Sequence, residues 1–508
     1  MENNVLSYLD AIVKKVPEKT AYADEKEEYT FQQVYEQSHS IGTFIHKKGL
    51  YKKPVVVFME KSPKTIIAFF GVITAGCFYV PIDDEMPKSR IDMILENCKP
   101  ELIICDEGTK EKAGTFQFQG EICLYNEISE TGEDAEALQK IRQNALDIDP
   151  IYIVFTSGST GVPKGVVACH RSVIDYIEQL SEVLKFNEDT VFANQTPLYF
   201  DACLKEIYPT LKFGATTYLV PKSLFMFPVE LVKFLNEHKV NTICWVVSAL
   251  TMISSVGTFG IVKPQYLKTV AFGSEVFPIK QFKIWKEALP EVSFTNLYGP
   301  TEGTGMCCYY HLEREFQENE AIPIGKPFQN TEILLLDENN KPGEEGEICI
   351  RGTAVTLGYF NNPEKTAESF VQNPLNSSYP EIIYRTGDIG KYNEYGELVF
   401  VSRKDYQIKH MGHRIELGEI EANVNMIKEI KMCACIYEEE KGKIVLFYVG
   451  DIAVKELVEK LKNMLPRYMI PNHTEQLEEM PFTANGKIDR VLLKNRFKGE
   501  KKNGRCKK

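Results

Sequence analysis

The chain has 508 residues, of which 44% are hydrophobic and 26% charged, and its formal net charge is −12. A single hydrophobic core stops growing at about 250–300 residues, so the length predicts at least two domains, and the composition excludes disorder on a large scale. The negative charge would repel a phosphate backbone and argues against a nucleic-acid partner.

The N-terminal stretch MENNVLSYLDAIVKKVP carries apolar residues at helical spacing between charged ones, which predicts an amphipathic helix and not a signal peptide. No window reaches about 18 uninterrupted apolar residues, so we expect no membrane span and no membrane partner. The 13 cysteines have irregular spacings without a Cys-x-x-Cys pair. This usage is typical of reduced thiols and predicts a cytoplasmic protein without a structural zinc site.

Short apolar runs alternate with helical patterns between about residues 50 and 105. The runs PVVVFME, CFYVPID and ELIICD are typical of strands, and TIIAFFGVITAG is typical of a helix. This alternation predicts βα units around a parallel sheet. It returns at 241–247 (NTICWVV) and 267–273 (LKTVAFG), each followed by a helical segment.

The pattern changes after about residue 325, where TEILLLDENNKPGEEGEICIRG predicts two strands around turn residues. Beyond Arg403 we expect a helix, two strands and a further helix near 454–465, enough for a small domain. The basic run from Lys494 to Lys508 is typical of a solvated, mobile tail.

The predicted fold class is therefore α/β. We expect a large N-terminal domain (1–403) of doubly wound mixed sheets with a β-rich subdomain at about 326–403. A small, mobile α+β domain (404–508) is expected to follow it.

The most polar loop, FTSGSTGVPKG at 155–165, follows the apolar run 151–154. A glycine-rich turn behind a buried strand can lay backbone N–H groups against phosphate oxygens, while hydroxyls donate and a lysine adds charge. It is not a Walker A loop, because Gly165 and not Ser or Thr follows Lys164. Taken alone, a turn rich in Gly, Ser and Thr is more often an ordinary loop.

Five more motifs follow in order: FDA (200–202), NLYGPTE (296–302), YRTGD (384–388), SRKDYQIKHMGHRIELGEIE (402–421) and NGKIDR (485–490). Together with the loop they resemble the adenylate-forming superfamily of acyl-CoA synthetases, luciferases and peptide-synthetase adenylation domains, most closely its amino-acid-activating branch. The resemblance covers essentially the whole chain. It implies that ATP and Mg²⁺ are used to convert a carboxylate into an acyl adenylate, with release of pyrophosphate, before a thiol captures the acyl group.

The resemblance also implies a nucleotide site. Its β/γ-phosphate loop would consist of Thr156, Ser157, Gly158, Ser159, Thr160 and Lys164. The remaining ATP-binding residues would be Asn296, Tyr298, Gly299, Pro300, Thr301, Asp388, Phe400 and Arg403, with Tyr298 stacked on adenine, Asn296 near its amino edge and Asp388 on the ribose hydroxyls. Glu302 would hold the Mg²⁺. Ser402 stands where the family has a glycine, which is a departure beside Arg403.

By the same resemblance, Lys487 is the catalytic residue that bridges the substrate carboxylate and the α-phosphate, where charge develops. Asp405 stands at the family's hinge position, so that the small domain closes for adenylation and then presents HMGHRIE for the thiol step.

Asp201 would pair with the α-ammonium group of an amino acid, because a buried carboxylate is costly without a cation. The other pocket positions, transferred by motif alignment, are Ala202, Lys205, Cys244, Val270, Phe272, Leu297, Gly305 and Met306. Lys205 is compatible with an acidic substrate side chain, with an i,i+4 pair to Asp201, or with a lysine that faces water.

The expected function is activation of an amino acid and its transfer to a phosphopantetheinylated carrier protein, as in non-ribosomal peptide synthesis. The carrier is expected to be a separate protein, because no attachment motif, condensation motif or thioesterase motif occurs in the sequence. The alternatives are a D-alanine carrier-protein ligase, against which Phe272 stands, an acyl-CoA synthetase, and a catalytically silent nucleotide-binding scaffold.

Overall fold

The computed structural model describes residues 2–158, 162–318, 320–404, 407–482 and 488–503. The chain divides into two compact units. The first comprises Met1–Asp84, Asn97–Phe155 and Gly165–Lys404, and the second Glu85–Glu96, Thr156–Lys164 and Asp405–Lys508. The sequence assigns every residue up to 403 to the large domain, whereas the structure groups two short segments, 85–96 and 156–164, with the second unit.

The helices up to residue 404 are mostly short and amphipathic. In chain order they are α1 (Ser7–Ile12), α2 (Phe31–Lys47), α3 (Pro63–Thr74), α4 (Lys88–Cys98), α5 (Lys110–Ala113), α6 (Tyr125–Ile128), α7 (Ala135–Asn144), α8 (His170–Leu184), α9 (Leu204–Phe213), α10 (Pro228–Glu237), α11 (Val247–Ser255), α12 (Ile279–Ala288) and α13 (Pro363–Ser369). Short 3₁₀ turns lie at Asp201–Cys203, Lys222–Met226, Thr258–Gly260 and Thr301–Gly303.

The strands of the first unit begin before α2 and continue to its last residues. They are β1 (Thr20–Ala23), β2 (Glu28–Thr30), β3 (Pro54–Phe58), β4 (Phe78–Ile82), β5 (Leu102–Cys105), β6 (Glu121–Leu124), β7 (Pro150–Thr156), β8 (Lys164–Cys169), β9 (Val191–Asn194), β10 (Thr216–Leu219), β11 (Thr242–Val246), β12 (Thr269–Gly273), β13 (Ser293–Tyr298), β14 (Cys308–His311), β15 (Lys326–Pro327), β16 (Thr331–Leu336), β17 (Glu345–Gly352), β18 (Phe370–Gln372), β19 (Ile382–Tyr392) and β20 (Leu398–Arg403).

These strands form three sheets, which confirms the predicted α/β class. A nine-stranded mixed sheet has the order β15-β14-β13-β12-β11-β9-β10-β1-β2, and a six-stranded sheet has the order β6-β5-β3-β4-β7-β8. A five-stranded antiparallel sheet contains β16-β17-β19-β18, with β20 on β19. It corresponds to the β-rich pattern after residue 325.

The nine-stranded sheet separates two hydrophobic cores. Successive side chains of a strand point to opposite faces, so β11 and β12 contribute to both. Cys244 and Ala271 belong to one core, and Trp245 and Phe272 belong to the other. This alternation decides which side chains can share a binding pocket.

The second unit contains the remaining elements: β21 (Gln407–His410), β22 (His413–Glu416), α14 (Leu417–Asn425), β23 (Ile430–Glu438), β24 (Lys443–Gly450), α15 (Val454–Lys462), β25 (His473–Gln476) and α16 (Arg490–Asn503), with 3₁₀ turns at Glu439–Lys441 and Arg467–Met469. The sequence pattern identified α14, β23, β24 and α15 and missed the other four. The prediction of a mobile tail from Lys494 was wrong up to residue 503, because α16 continues that far and buries Leu493 and Phe497 against β23 and β24.

Two antiparallel strands of this unit, β21 and β22, meet at a tight hairpin. His410 pairs with His413, and the two residues between them, Met411 and Gly412, both have positive φ (52° and 80°). Such a turn matches the twist of the flanking strands. Within the described ranges, no helix is both long enough and apolar enough to cross a membrane.

Candidate active site

Asp201 begins the 3₁₀ turn that runs directly into α9, and its side chain is only 8% exposed. Burial raises the pKa of its carboxyl group from 3.8 to about 6, although the charge of Lys205, the hydroxyl of Thr301 and the amide of Gly305 partly offset that rise. A carboxylate held in this way is expensive to ionise. The position therefore suits an incoming cation.

A second carboxylate, Glu206, is fully buried on the same helix. Burial raises its pKa to about 7, and one of its oxygens accepts a hydrogen bond from the side-chain amide of Asn194 at 3.2 Å. Lys61 is half-buried, and its ammonium group donates to the backbone oxygens of Asn194 (3.0 Å) and Gln195 (3.2 Å). Burial lowers the pKa of Lys61 to about 8. Sequence reasoning missed both residues.

Gly305 adopts a left-handed conformation, with φ of 81°. A Cβ atom there would lie 3.1 Å from the ring of Tyr176, so both the backbone and the space require glycine. The hydroxyl groups of Tyr176 and Tyr152 are buried and have no hydrogen-bond partner among the described residues. Burial raises the pKa of Tyr176, and the nearby thiol of Cys244 and charge of Asp201 raise it further.

The predicted pocket positions on β11, β12 and β13 do not all face one side. The core that contains Tyr176 also contains three of the predicted positions, Cys244, Leu297 and Met306, together with Ala271. Val270 and Phe272 belong to the opposite core. Their side chains point away from that of Cys244, because Cys244 pairs with Ala271 across the two strands. Ala202, beside Asp201, is half-buried.

Asp388 is the centre of a buried polar cluster in the first unit. Tyr298 donates its hydroxyl to one carboxylate oxygen at 2.5 Å, and Arg403 donates to the other at 2.6 Å. The pairing of β19 with β20 sets Asp388 directly opposite Arg403. Phe400 packs against the core that contains Tyr298. Three residues from separate motifs therefore meet at one carboxylate.

Asn296 and Glu302 lie at the two ends of the NLYGPTE motif. The side-chain amide of Asn296 donates to the backbone oxygen of Pro323 at 2.8 Å. Gly299, Pro300 and Thr301 form the connection to Glu302, and a Cβ atom at Gly299 would lie 2.6 Å from the backbone oxygen of Gly305.

Glu302 is fully buried and accepts a hydrogen bond from the hydroxyl of Tyr359 at 2.7 Å. Within the described ranges, no group of three or more His, Cys, Asp or Glu residues is arranged to hold a metal ion. One carboxylate fits the usual binding of Mg²⁺, which relies on one or two carboxylates and on substrate phosphates.

The described part of the phosphate-loop motif belongs to the second unit, where carboxylates face it. The amide of Gly158 donates to Glu419 at 3.2 Å, and the hydroxyl of Ser157 donates to the backbone oxygen of Arg414 at 2.8 Å. Glu419 also forms an ion pair with Arg90, and these two side chains are 1% and 4% exposed. Burial raises the pKa of Glu419, and Arg90 opposes that rise.

The other loop residues are placed less fully. Lys164 lies 3.9 Å from a carboxylate oxygen of Glu416, and the buried hydroxyl of Thr156 has no partner among the described residues. Four predicted residues lie outside the described ranges: Ser159, Thr160, Asp405 and Lys487. Their roles stay predictions.

Known proteins resemble this chain along most of its length. A family model described as AMP-binding enzyme matches residues 9–360. Zwittermicin A synthase ZmaJ of Bacillus cereus is 31% identical over 499 residues, which cover 95% of this chain and 93% of that protein. Tyrocidine synthase 3 of Brevibacillus parabrevis is 32% identical over 488 residues, which cover 94% of this chain but only 7% of that protein.

Among solved structures, holo-PA1221, described as an NRPS protein containing adenylation and PCP domains, has a TM-score of 0.84 at 24% identity and covers 97% of this chain and 84% of that one. This likeness confirms the fold. The chain spans 9% of bacitracin synthase 1 of Bacillus licheniformis, so several relatives are far longer than the segment that they share with it.

Proposed function

Because the chain belongs to the AMP-binding enzyme family, we propose that it activates an amino acid with ATP as an aminoacyl adenylate. The aminoacyl group is then transferred to the phosphopantetheine thiol of a separate carrier protein. The observation that carries this proposal is the buried carboxylate of Asp201, whose ionised form lacks a full counter-charge. The α-ammonium group of an amino acid would supply that charge, whereas a fatty or aryl acid would not.

In the proposed first step, a carboxylate oxygen of the amino acid attacks the α-phosphorus of ATP, and the bond to the β-phosphate oxygen breaks to release pyrophosphate. Two anions must approach one another, so positive charge and positioning dominate the catalysis. The amide of Gly158 and the ammonium of Lys164 are proposed to bind phosphate oxygens, and Lys487 to neutralise the reacting centre. Mg²⁺ held at Glu302 would screen the phosphate charges.

In the proposed second step, the carrier thiolate attacks the acyl carbon, and the bond to AMP breaks. The thiol proton passes to solvent. Support for a carrier comes from holo-PA1221, which is described as containing a PCP domain. Support for a separate carrier comes from ZmaJ, which has nearly the length of this chain.

The chirality of the amino acid is a separate question. The argument against a D-alanine substrate depended on Phe272, which lies in the core opposite Cys244. That argument no longer holds, and D-amino acids belong among the candidates.

Amino-acid-dependent exchange of labelled pyrophosphate into ATP tests the proposal. A panel of D- and L-amino acids, fatty acids and aryl acids should give exchange with amino acids only. The Asp201→Asn variant should lose at least about 30-fold in kcat/KM for the amino acid, the lower range for removing one partner of a buried ion pair. Its affinity for ATP should stay within about twofold, because Asp201 contacts no phosphate in the proposal.

The matched control is Asp189→Asn, which alters an exposed carboxylate in the same unit. Exchange driven by acids without an amino group would contradict the proposal. An equal loss of ATP binding and amino-acid activation in Asp201→Asn would instead make Asp201 a structural residue.

A further inference from the structure

Lys205 is a buried lysine that has no close partner among the described residues. Its side chain is 2% exposed, and within the described parts of the chain it forms no hydrogen bond and no ion pair shorter than 4.0 Å. Lysine is almost never fully buried unless it is paired. A free energy of several kcal/mol is at stake when such a charge lacks compensation.

The surroundings of Lys205 show where its charge acts. It is the largest influence that lowers the pKa of both Asp201 and Glu206, and it also acts on the thiol of Cys244. The ammonium group therefore lies among these three side chains without touching either carboxylate. Asp201 and Lys205 are four residues apart on consecutive helical turns, which brings both to one face.

Several charged groups surround Lys205. Asp201, Glu206 and Glu302 are buried carboxylates, Lys205 is a buried lysine and Lys61 is half-buried. The charge of Lys61 lowers the pKa of Glu206, which also accepts a hydrogen bond from Asn194, and the charge of Glu302 raises the pKa of Asp201. If the α-ammonium of a substrate pairs with Asp201, Lys205 loses its share of the Asp201 carboxylate.

We propose that Lys205 determines specificity by pairing with a carboxylate on the substrate side chain, so that the enzyme activates an acidic amino acid. This inference rests on the proposed function. A side-chain carboxylate gives the Lys205 ammonium a direct partner, whereas an apolar side chain leaves Lys205 without one and a basic side chain places a second cation beside it. The unpartnered hydroxyls of Tyr152 and Tyr176, which lie in the same core as Cys244, offer further donors for such a carboxylate.

The test compares substrates that differ in charge but hardly in shape. Pyrophosphate exchange is measured with aspartate and asparagine, glutamate and glutamine, and with leucine and lysine as apolar and basic references. One acidic amino acid should exceed its own amide in kcat/KM by at least about 30-fold, the range for an unmatched buried charge. This ratio is measured on the unaltered protein and does not depend on any variant.

Variants then assign the preference to Lys205. Lys205→Met should reduce the ratio of acid to amide to within about threefold without changing the KM for ATP, and Lys205→Glu should shift the preference toward lysine. The control is Lys212→Met on the same helix, whose ammonium pairs with Glu178 at 2.6 Å. It should keep the acidic preference. Tryptophan fluorescence verifies that each variant is folded.

The outcomes separate the two proposals. Strong activation of a neutral or basic amino acid with inert aspartate and glutamate would overturn the inference about Lys205 and leave the proposed function intact. If Lys205→Met keeps the full preference for an acid, another residue provides it and the inference is wrong. If no amino acid supports exchange, the proposed function itself fails, and the inference fails with it.

Discussion

Replacing Asp201 by asparagine should stabilise the protein while it removes the proposed activity. The folded carboxyl group has a pKa of about 6 against an ordinary value of 3.8, with burial as the main cause. Because the folded protein raises this pKa, the ionised carboxylate lowers the free energy of unfolding. The loss is absent well below pH 3.8 and grows as the pH rises from 3.8 through 6. Asparagine keeps an oxygen for the Thr301 hydroxyl and the Gly305 amide but carries no charge.

The size of the effect follows from the two pKa values. Above pH 7 their difference corresponds to about 3 kcal/mol of unfolding free energy, and at pH 5 to about half of that. Asp201→Asn should therefore exceed the unaltered protein in stability by about 3 kcal/mol at pH 8. The gain should shrink to about 1.5 kcal/mol at pH 5 and vanish below about pH 4.

Urea denaturation followed by tryptophan fluorescence measures this gain. The only two tryptophans, Trp245 and Trp285, are both buried in the first unit, so the signal reports the unit that contains Asp201. Asp189→Asn serves as the control and should not change with pH. A variant less stable than the unaltered protein at pH 8, or a gain equal at pH 5 and pH 8, would refute the reasoning.

Two further predictions concern the loop and the strand register. Arg90→Met should lower the stability of the second unit by about 3–5 kcal/mol, because it leaves Glu419 buried without its cation; hydrogen exchange in α14 measures the loss. Arg142→Met, whose pair with Asp10 is half-exposed, should cost under about 1 kcal/mol, and equal losses would contradict the argument. Ala271→Leu should raise the KM for the amino acid at least about tenfold, whereas Val270→Ile should leave it unchanged. If both variants have the same effect, the assignment of faces on β12 is wrong.

Much of the fold could be predicted because its central strands are buried on both faces. Continuous apolar runs such as 241–247 and 267–273 correspond to β11 and β12 within one or two residues. β25 has the sequence HTEQ, without any apolar residue, and it is held by parallel backbone pairing with β24. Half of the residues in helix α16 are charged, and Leu493 and Phe497 are buried. No local pattern could have revealed either element.

Motifs in the sequence single out Asp201, Tyr298 and Asp388, which are all buried, and Tyr298 contacts Asp388. Their roles stay predictions. Contacts with distant parts of the chain could not be predicted. Lys61 reaches Asn194 and Gln195 only because the fold brings separate segments together. The contact of Glu419 with Gly158 likewise joins residues 261 positions apart.

The cysteines of this protein have a consequence for the proposed transfer of the acyl group to a thiol. All twelve described cysteines are buried. Cys203 lies beside Asp201, Cys244 lies near Glu206 and Lys205, and burial raises the pKa of both thiols. A protonated, enclosed sulfur is a poor nucleophile. An acyl adenylate formed near them would therefore not acylate the protein's own cysteines and would remain available to the thiol of another molecule.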